Sequence, residues 1–473
     1  MRAFLVACRR NVGGTSFLVV VSMLWFAAHV WRIGDGPMGY HEWREADTCM
    51  VAWNLHVEEF DMLRPRISVR GDGDGVCGQE FPLLNAVIAG GWTLFGEQQH
   101  WWPRLLSITA AIAMIIGLRR LLLDLGWSRS AAGLAAAALA CSPLLFFYGR
   151  KIIPDMPAAA LGLWGTVLAR RWIIGQAGWR STAGGAILFG LVGMIKPIAL
   201  CIGLPLAVEL VHRHGVRALL QPRWWLFGIC CLTPMVLWFR HAGGLGGDGY
   251  FLLGVPWRRS LEALQAGWPL GKLLVEWPWQ LWIGLPLVPA FAIGCWALRR
   301  APWIWWWMAG AFGVLLPFAG QFGPHDYYTL PMAAPCAALS GAGLAWAIRQ
   351  RMRSIGLVAV ILLVVAGPLA FVRVVNRYGV PYDHGAIRAA TVLAVPADAL
   401  VVSYDGVPAT LLYRLGRNGW SISTQAELAQ LPELVSRGAR FLVARGEHRA
   451  QLDGLVGEAI LTSDDMTVYR LVR

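Results

Sequence analysis

The stretch HEWREADT, residues 41–48, sets a histidine, three acids and an arginine within seven positions. A carboxylate there suits abstraction of a hydroxyl proton, an imidazole suits proton exchange or metal ligation, and a guanidinium suits a phosphate or carboxylate. Four later stretches carry comparable chemistry. GQEFPLL places Glu80 two residues before Pro82. GRKIIPDMPAA holds Asp155 between Pro154 and Pro157, with Arg150 and Lys151 just upstream. MIKPIAL sets Lys196 inside an apolar run, and GPHDYYTLP groups His325, Asp326, Tyr327 and Tyr328. Carboxylates combined with cations and tyrosines suit a group transfer in which a base takes a proton from an acceptor hydroxyl. Cations then stabilise negative charge growing on a leaving phosphate. Lys196, Arg150 and Tyr327 or Tyr328 are the candidates for that phosphate. Each motif also has a plainer reading. Asp47 suits a helix N-cap, residues 41–45 a solvated loop, Glu80 an acid beside a helix N-terminus and Lys196 a side chain snorkelling to the interface.

The elements that must position these residues are read from hydropathy. The chain is 57% hydrophobic and 15% charged, with a mean hydropathy of +0.52. Long, non-alternating apolar runs separated by short basic clusters describe a polytopic α-helical membrane protein rather than a soluble protein or a barrel. The net charge of +13 is read as cytoplasmic-side topology signals and not as a nucleic-acid surface. Many of the 26 tryptophans flank the runs. The first run, with no small-residue cleavage site after it, reads as an uncleaved transmembrane helix.

About eleven spans are expected, near 14–32, 101–118, 130–148, 156–173, 182–197, 198–212, 224–240, 278–298, 302–320, 327–347 and 354–374. The run 82–95 is too short to cross. Leaving it as a re-entrant or interfacial helix puts all six basic clusters, from Arg9-Arg10 to Arg349–Arg353, on the cytoplasmic side. The acids and histidines (His41, Glu42, Asp47, Glu80, Asp155, Asp248, His325 and Asp326) then collect outside, where residues 41–47, 80, 155 and 325 are expected around one cavity. Arg150 and Lys151 break the positive-inside pattern, and a basic site outside asks for an anionic partner. After Asp47, Met50, Trp53 and Val57 fall at helical spacing and predict an interfacial amphipathic helix starting near Ala46-Asp47-Thr48. Cys49 and Cys77 share the polar first loop, which admits a disulfide in an oxidising compartment.

Beyond Arg373 the pattern changes. Strand-length apolar runs at 399–403, 441–445 and 467–472 alternate with helical stretches at 407–416 and 424–437. The expected division is a transmembrane catalytic domain over 1–375, with a first exoplasmic loop at 33–100, and a periplasmic α/β domain over 376–473.

HEWREADT, the E-x-P step at Glu80, the Pro154-Asp155 pair, Lys196-Pro197 and YYTLP together resemble the GT-C glycosyltransferases. Within them the chain is similar to the bacterial branch of glycosyltransferase family 39, which is related to protein O-mannosyltransferases and the lipid A aminoarabinose transferase. The resemblance spans about residues 15–375 and is strongest over 39–165. It implies a GT-C fold in the bacterial inner membrane, with a cytoplasmic N-terminus. It also implies inverting transfer of a sugar from a polyprenyl-phosphate donor to a lipid, glycan or protein acceptor on the periplasmic side.

By the same resemblance the first-loop acid is the general base, with Asp47 taken ahead of Glu42, and Asp155 is the second-loop aspartate. Glu80 matches the acid of a Glu-Lys-Pro step, but Phe81 stands where that lysine would be, which predicts different acceptor recognition. His41, Arg44 and Glu80 are assigned to positioning the acceptor or a metal. Glu80 with His325 would hold a single divalent metal ion. No nucleotide cofactor is expected, because the donor carries its own leaving group. The competing readings are a lipid-linked glycan ligase or polymerase, favoured by Arg258-Arg259 in the loop 241–277, and a membrane transporter or flippase, favoured by the Lys196-Pro197 break.

Overall fold

The computed structural model describes residues 14–246, 257–321, 325–350, 353–407, 409–446, 452, 456–463 and 466–471. Arg9-Arg10 and Asp248 lie outside the described residues. The chain divides into two compact units. One comprises Met1–Trp31, Leu105–Arg240 and Phe251–Asn376, and the other Arg32–Arg104, His241–Tyr250 and Arg377–Arg473.

The first unit is helical, and every expected span has a helical counterpart. Trp101–Asp124, Pro222–Gly244, Asp326–Arg349 and Ser354–Tyr378 are the helices, among the described residues, long and apolar enough to cross a membrane. The others are shorter or interrupted. The run 130–148 is Arg129–Ala140 followed by Pro143–Tyr148, broken where Ser142 precedes Pro143. The run 182–212 breaks at Lys196. Trp179–Ile195 ends there, Lys196 turns out of helical geometry at φ −152°, and Pro197 opens a 3-10 turn leading to Gly203–His214. The buried centre is Leu330–Arg349, which meets Arg129–Ala140 and Val288–Ala297 at backbone distance. A Cβ at Gly294 would fall on the carbonyl of Leu339, one at Gly343 on that of Ala290 and one at Gly341 on the backbone of Ala135. Glycine permits this approach where lipid supplies no hydrophobic drive for packing.

The second unit joins two helices of the early loop to an α/β sheet. Its strands are β1 (Leu400–Tyr404), β2 (Gly419–Ile422), β3 (Ala439–Arg445), β4 (Ala459–Thr462) and β5 (Met466–Arg470). The order is β2-β1-β3-β5-β4, parallel for β2-β1-β3 and antiparallel for β3-β5-β4. Its two faces are covered by separate apolar clusters, one around Leu442 and Leu431, the other around Val443 and Leu411. Strands β1, β3 and β5 match the predicted runs. β2 and β4, four residues each, and the helix His384–Ala394 do not appear among the predictions.

Three expectations for the early loop need correction. The first helix runs Glu42–Val57, so it begins about one turn earlier than predicted. Asp47 is therefore inside the helix rather than at its cap, and residues 42–45 are not a loop. The helix is not a half-immersed amphipathic one either. Val57 is exposed, while Glu45, Ala46, Thr48, Cys49, Ala52 and Asn54 are buried. Its packing face combines Met50, Val51 and Leu55 with small residues and paired polar groups, so it is wider than the predicted stripe of Met50, Trp53 and Val57. Cys49 and Cys77 are free thiols, not a disulfide.

Candidate functional site

The predicted site residues fall into two clusters, one in each unit.

In the first unit the cluster forms at three helix ends. Pro154 sets the entry to Asp155–Ile173, so Asp155 occupies its first turn, where the helix dipole favours an acid. The break after Ile195 frees Lys196 from its helix and leaves it at the end of an apolar run. The short 3-10 turn Asp326–Thr329 carries Tyr327 and Tyr328. Together these place Lys196 Nζ 3.5 Å from Asp155 Oδ1. The ammonium also lies 5.6 Å from the ring centre of Tyr327 and 5.3 Å from that of Tyr328. Both members of the ion pair are buried. The second carboxylate oxygen of Asp155 is buried and makes no hydrogen bond among the described residues. Tyr148 donates to Asp326, and His325 packs against both tyrosines. Arg150 and Lys151 are buried as well, with Lys151 Nζ 5.1 Å from the centre of the Phe147 ring. Ser107 donates 2.7 Å to the Lys151 carbonyl, fixing that turn. Buried cations rimmed by tyrosines, with a carboxylate oxygen left to accept, suit an anionic ligand that also carries a hydroxyl.

In the second unit the cluster is organised by the helix Glu42–Val57. His41 precedes it in left-handed geometry, φ 63°, and Glu42 and Glu45 lie in its first turn. Arg44 pairs with Asp47 one turn on and with Glu80 at the entrance to the second helix, Leu83–Phe95. Asn85 Nδ2 donates 2.7 Å to the Thr48 carbonyl, and Val51, Leu55, Ala86 and Ala89 pack between the two helices. Glu45 is fully buried against Arg104 at 2.9 Å, and Arg104 also donates to the carbonyls of Asp35 and Gly36. Glu42 is engaged by Arg445 at 2.5 Å and Arg414 at 3.5 Å.

Deeper in this unit, His100 Nε2 and the Tyr413 hydroxyl are 2.8 Å apart, and His384 stacks on Tyr413. Burial holds both histidines below their ordinary 6.5. His384 falls to about 3, helped by Arg388 and Arg414, and His100 falls well below, helped by His384 and Arg104.

Glu80 and His325 belong to different units. Within its own unit Glu80 faces the Arg44 guanidinium, whose charge competes with a cation. Among the described residues no group of three or more His, Cys, Asp or Glu side chains could hold a metal ion. Among the described residues Glu80 is thus paired with a guanidinium and belongs to no such group.

Sequence reading missed Arg104, Arg414, Arg445 and Asp405. The available signal was the arginine in each of three apolar contexts, WWPRLL, LLYRLG and FLVARG.

No protein-family model and no curated protein sequence matches the chain. Solved structures do. ArnT from Cupriavidus metallidurans bound to undecaprenyl phosphate superposes with a TM-score of 0.64 at 14% identity, covering 96% of this chain and 97% of that one. Its apo form gives 0.67 over the same coverage. The archaeal oligosaccharyltransferase AglB from Archaeoglobus fulgidus, in complex with an inhibitory peptide and a dolichol-phosphate, gives 0.59 at 11% identity over 92% of this chain and 69% of that one. The arabinofuranosyltransferase AftD from Mycobacteria gives 0.55 at 14% identity, over 96% of this chain and 41% of that one. The chain has the GT-C fold of these membrane proteins.

Proposed function

We propose that the chain is an inverting glycosyltransferase that moves a sugar from a polyprenyl-phosphate donor to an acceptor hydroxyl on the periplasmic side of the bacterial inner membrane. The observation that carries this reading is the end-to-end likeness to ArnT, solved with undecaprenyl phosphate bound. Support comes from the cluster of Lys196, Tyr327 and Tyr328, with Arg150 a further buried cation of the same unit, whose charge and hydroxyls suit a lipid phosphate.

In this reading the acceptor oxygen attacks the anomeric carbon as the bond from that carbon to the phosphate oxygen breaks, with inversion. The acceptor proton passes to a carboxylate, and the electron pair of the broken bond leaves on polyprenyl phosphate. Lys196 and Arg150 stabilise the charge growing there, and a tyrosine hydroxyl donates to a phosphate oxygen. Asp155, with one oxygen turned to Lys196 and the other open, orients the ammonium and accepts from a sugar or acceptor hydroxyl. Asp47 is the base, with Arg44 fixing its rotamer; Glu42 is the alternative base. No step passes through a metal.

The test is incubation of purified protein with a panel of polyprenyl-phosphate sugars, following release of polyprenyl phosphate and sugar transfer to envelope lipid, glycan or protein fractions. Release from no member of the panel, with transport of the lipid observed instead, would overturn the reading in favour of a flippase.

A further inference from the structure

The carboxyl ends of parallel strands are where α/β sheets ordinarily take a ligand, at the point where successive connections diverge to either side. In this sheet that point lies at the end of β1, whose neighbours are β2 on one side and β3 on the other. Asp405 follows β1 directly, and Arg445 is the last residue of β3. Their side chains pair at 2.9 Å, with Asp405 fully buried and a further Asp405 oxygen accepting from the Val407 N–H at 3.2 Å. The next group in the chain of charges comes from the first helix. Glu42 gives one oxygen to Arg445 at 2.5 Å and the other to Arg414 at 3.5 Å. Arg414 is almost wholly buried on the helix Thr410–Leu415, and its guanidinium lies 3.8 Å from the centre of the Tyr382 ring.

We infer that Arg445 and Arg414 are positioning residues for the proposed transfer, holding the helix that bears Arg44 and Asp47 by clamping Glu42 at its first turn. The inference rests on the reading of that helix as carrying the base. Two acids and two arginines make a neutral set. Each Glu42 oxygen serves a different arginine, so the pair restrains both the rotation of the helix and its distance from the sheet. The helix N-terminus is itself electropositive. Without the Glu42 carboxylate, the two guanidiniums would face that end without the charge that bridges them. Two residues further along, Arg44 reaches Asp47 and Glu80, so a small rotation at Glu42 displaces the carboxylate that must meet the acceptor. A misplacement of about 1 Å is enough to cost on the order of a hundredfold in rate. Glu42 thus acts through the helix and not on the acceptor proton.

The experiment uses the full chain in lipid nanodiscs, as wild type and as R445Q, R445K, R414Q and E42Q. Hydrogen exchange of amides 44–50 is measured beside exchange in β1, β3 and β5, and kcat and KM for the donor are measured on the same samples. The clamp predicts at least tenfold faster exchange in the first turns of the helix for R445Q and E42Q, with the strands unchanged. It also predicts a fall in kcat of about ten- to a hundredfold with donor KM within about twofold. R445K, which keeps the charge, should recover most of the protection. Unchanged helix exchange in R445Q overturns the clamp. So does exchange that rises equally in helix and strands in both R445Q and R445K, which would make the set a general stabiliser of the unit. A dead E42Q beside fully active R445Q and R414Q would return Glu42 to the chemistry. If the wild type transfers no sugar, the proposed function fails by itself, and the exchange arm still decides whether the clamp exists.

Discussion

Asp47 and Glu42 lie five positions apart on one helix but in different company, which separates their expected variants. Asp47→Asn keeps the shape of the side chain and removes its proton affinity, so turnover should fall by about 10²–10⁴, the usual worth of a general base. Helix exchange and lipid-donor binding should persist. Glu42→Gln should lose turnover together with helix protection. A transfer assay with donor affinity measured separately checks both, and full activity in both Asp47→Asn and Glu42→Gln would take the first helix out of the chemistry. The buried histidines give a second residue-scale expectation. Because their folded pKa values lie below the unfolded 6.5, the unfolded chain binds more protons between about 6.5 and about 3. The second unit should therefore keep its full stability above 6.5 and lose up to about 1.4 kcal/mol per pH unit through His384 as pH falls through that window, with His100 acting in the same direction. Thermal melts of that unit followed by exchange from pH 7 to pH 4 should show the decline, and His384→Gln should flatten it. At this scale the sequence was readable where an ionisable group stood in apolar surroundings, as with Asp155 and Lys196, because such groups need a partner nearby. It named Glu42 but was silent on its partners, which lie 372 and 403 positions away. The charged residues of residues 41–47 all looked equally available, while burial and pairing divide them.

The helices were legible wherever hydropathy alone decides, and every expected span has a helical body. What escaped was the shortening of several by proline, glycine and 3-10 turns, because these depend on close neighbours such as Gly343 against Ala290. The start of Glu42–Val57 was misplaced for a related reason. The left-handed turn at His41 supplies the entry in place of a side-chain cap, so the Ser, Thr or Asp signal pointed to the wrong residue. Strands β2 and β4 are too short to show alternation and exist through their neighbours' hydrogen bonds. For the helix Leu83–Phe95 the expectation is sharper. Its 13 residues span about 20 Å against about 30 Å of hydrocarbon. Single cysteines at Gln79 and Glu97, in a background without other reactive thiols, should both be labelled by a membrane-impermeant maleimide from the exoplasmic side. Labelling from opposite sides would invert the topology of everything after Phe95.

At the scale of the whole molecule, the GT-C fold was legible from motif order and hydropathy. The grouping of the chain was less so. Residues 32–104 share a compact unit with 377–473, joined by the bond from Gly419 N to the Ser68 carbonyl at 3.0 Å, by the donation of Arg70 N to the Gly419 carbonyl at 2.9 Å and by Arg437 on Asp72. Hydropathy reads neighbours in sequence, and these are not neighbours in sequence. A chain truncated after residue 376 should therefore leave 32–104 open to protease in spheroplasts, while the full chain protects it. Equal protection in both would show that the early loop folds unaided.

The same grouping gives the protein a schedule. During synthesis about 270 residues, those between Arg104 and Arg377, separate the two halves of this unit, which at roughly 5–20 residues per second is about a quarter of a minute to a minute. Through that interval Glu42 has no Arg445 or Arg414 to meet and Ser68 has no strand to pair with. The segment must wait as a half-built unit, and the residues after Arg377 are the ones that end the wait.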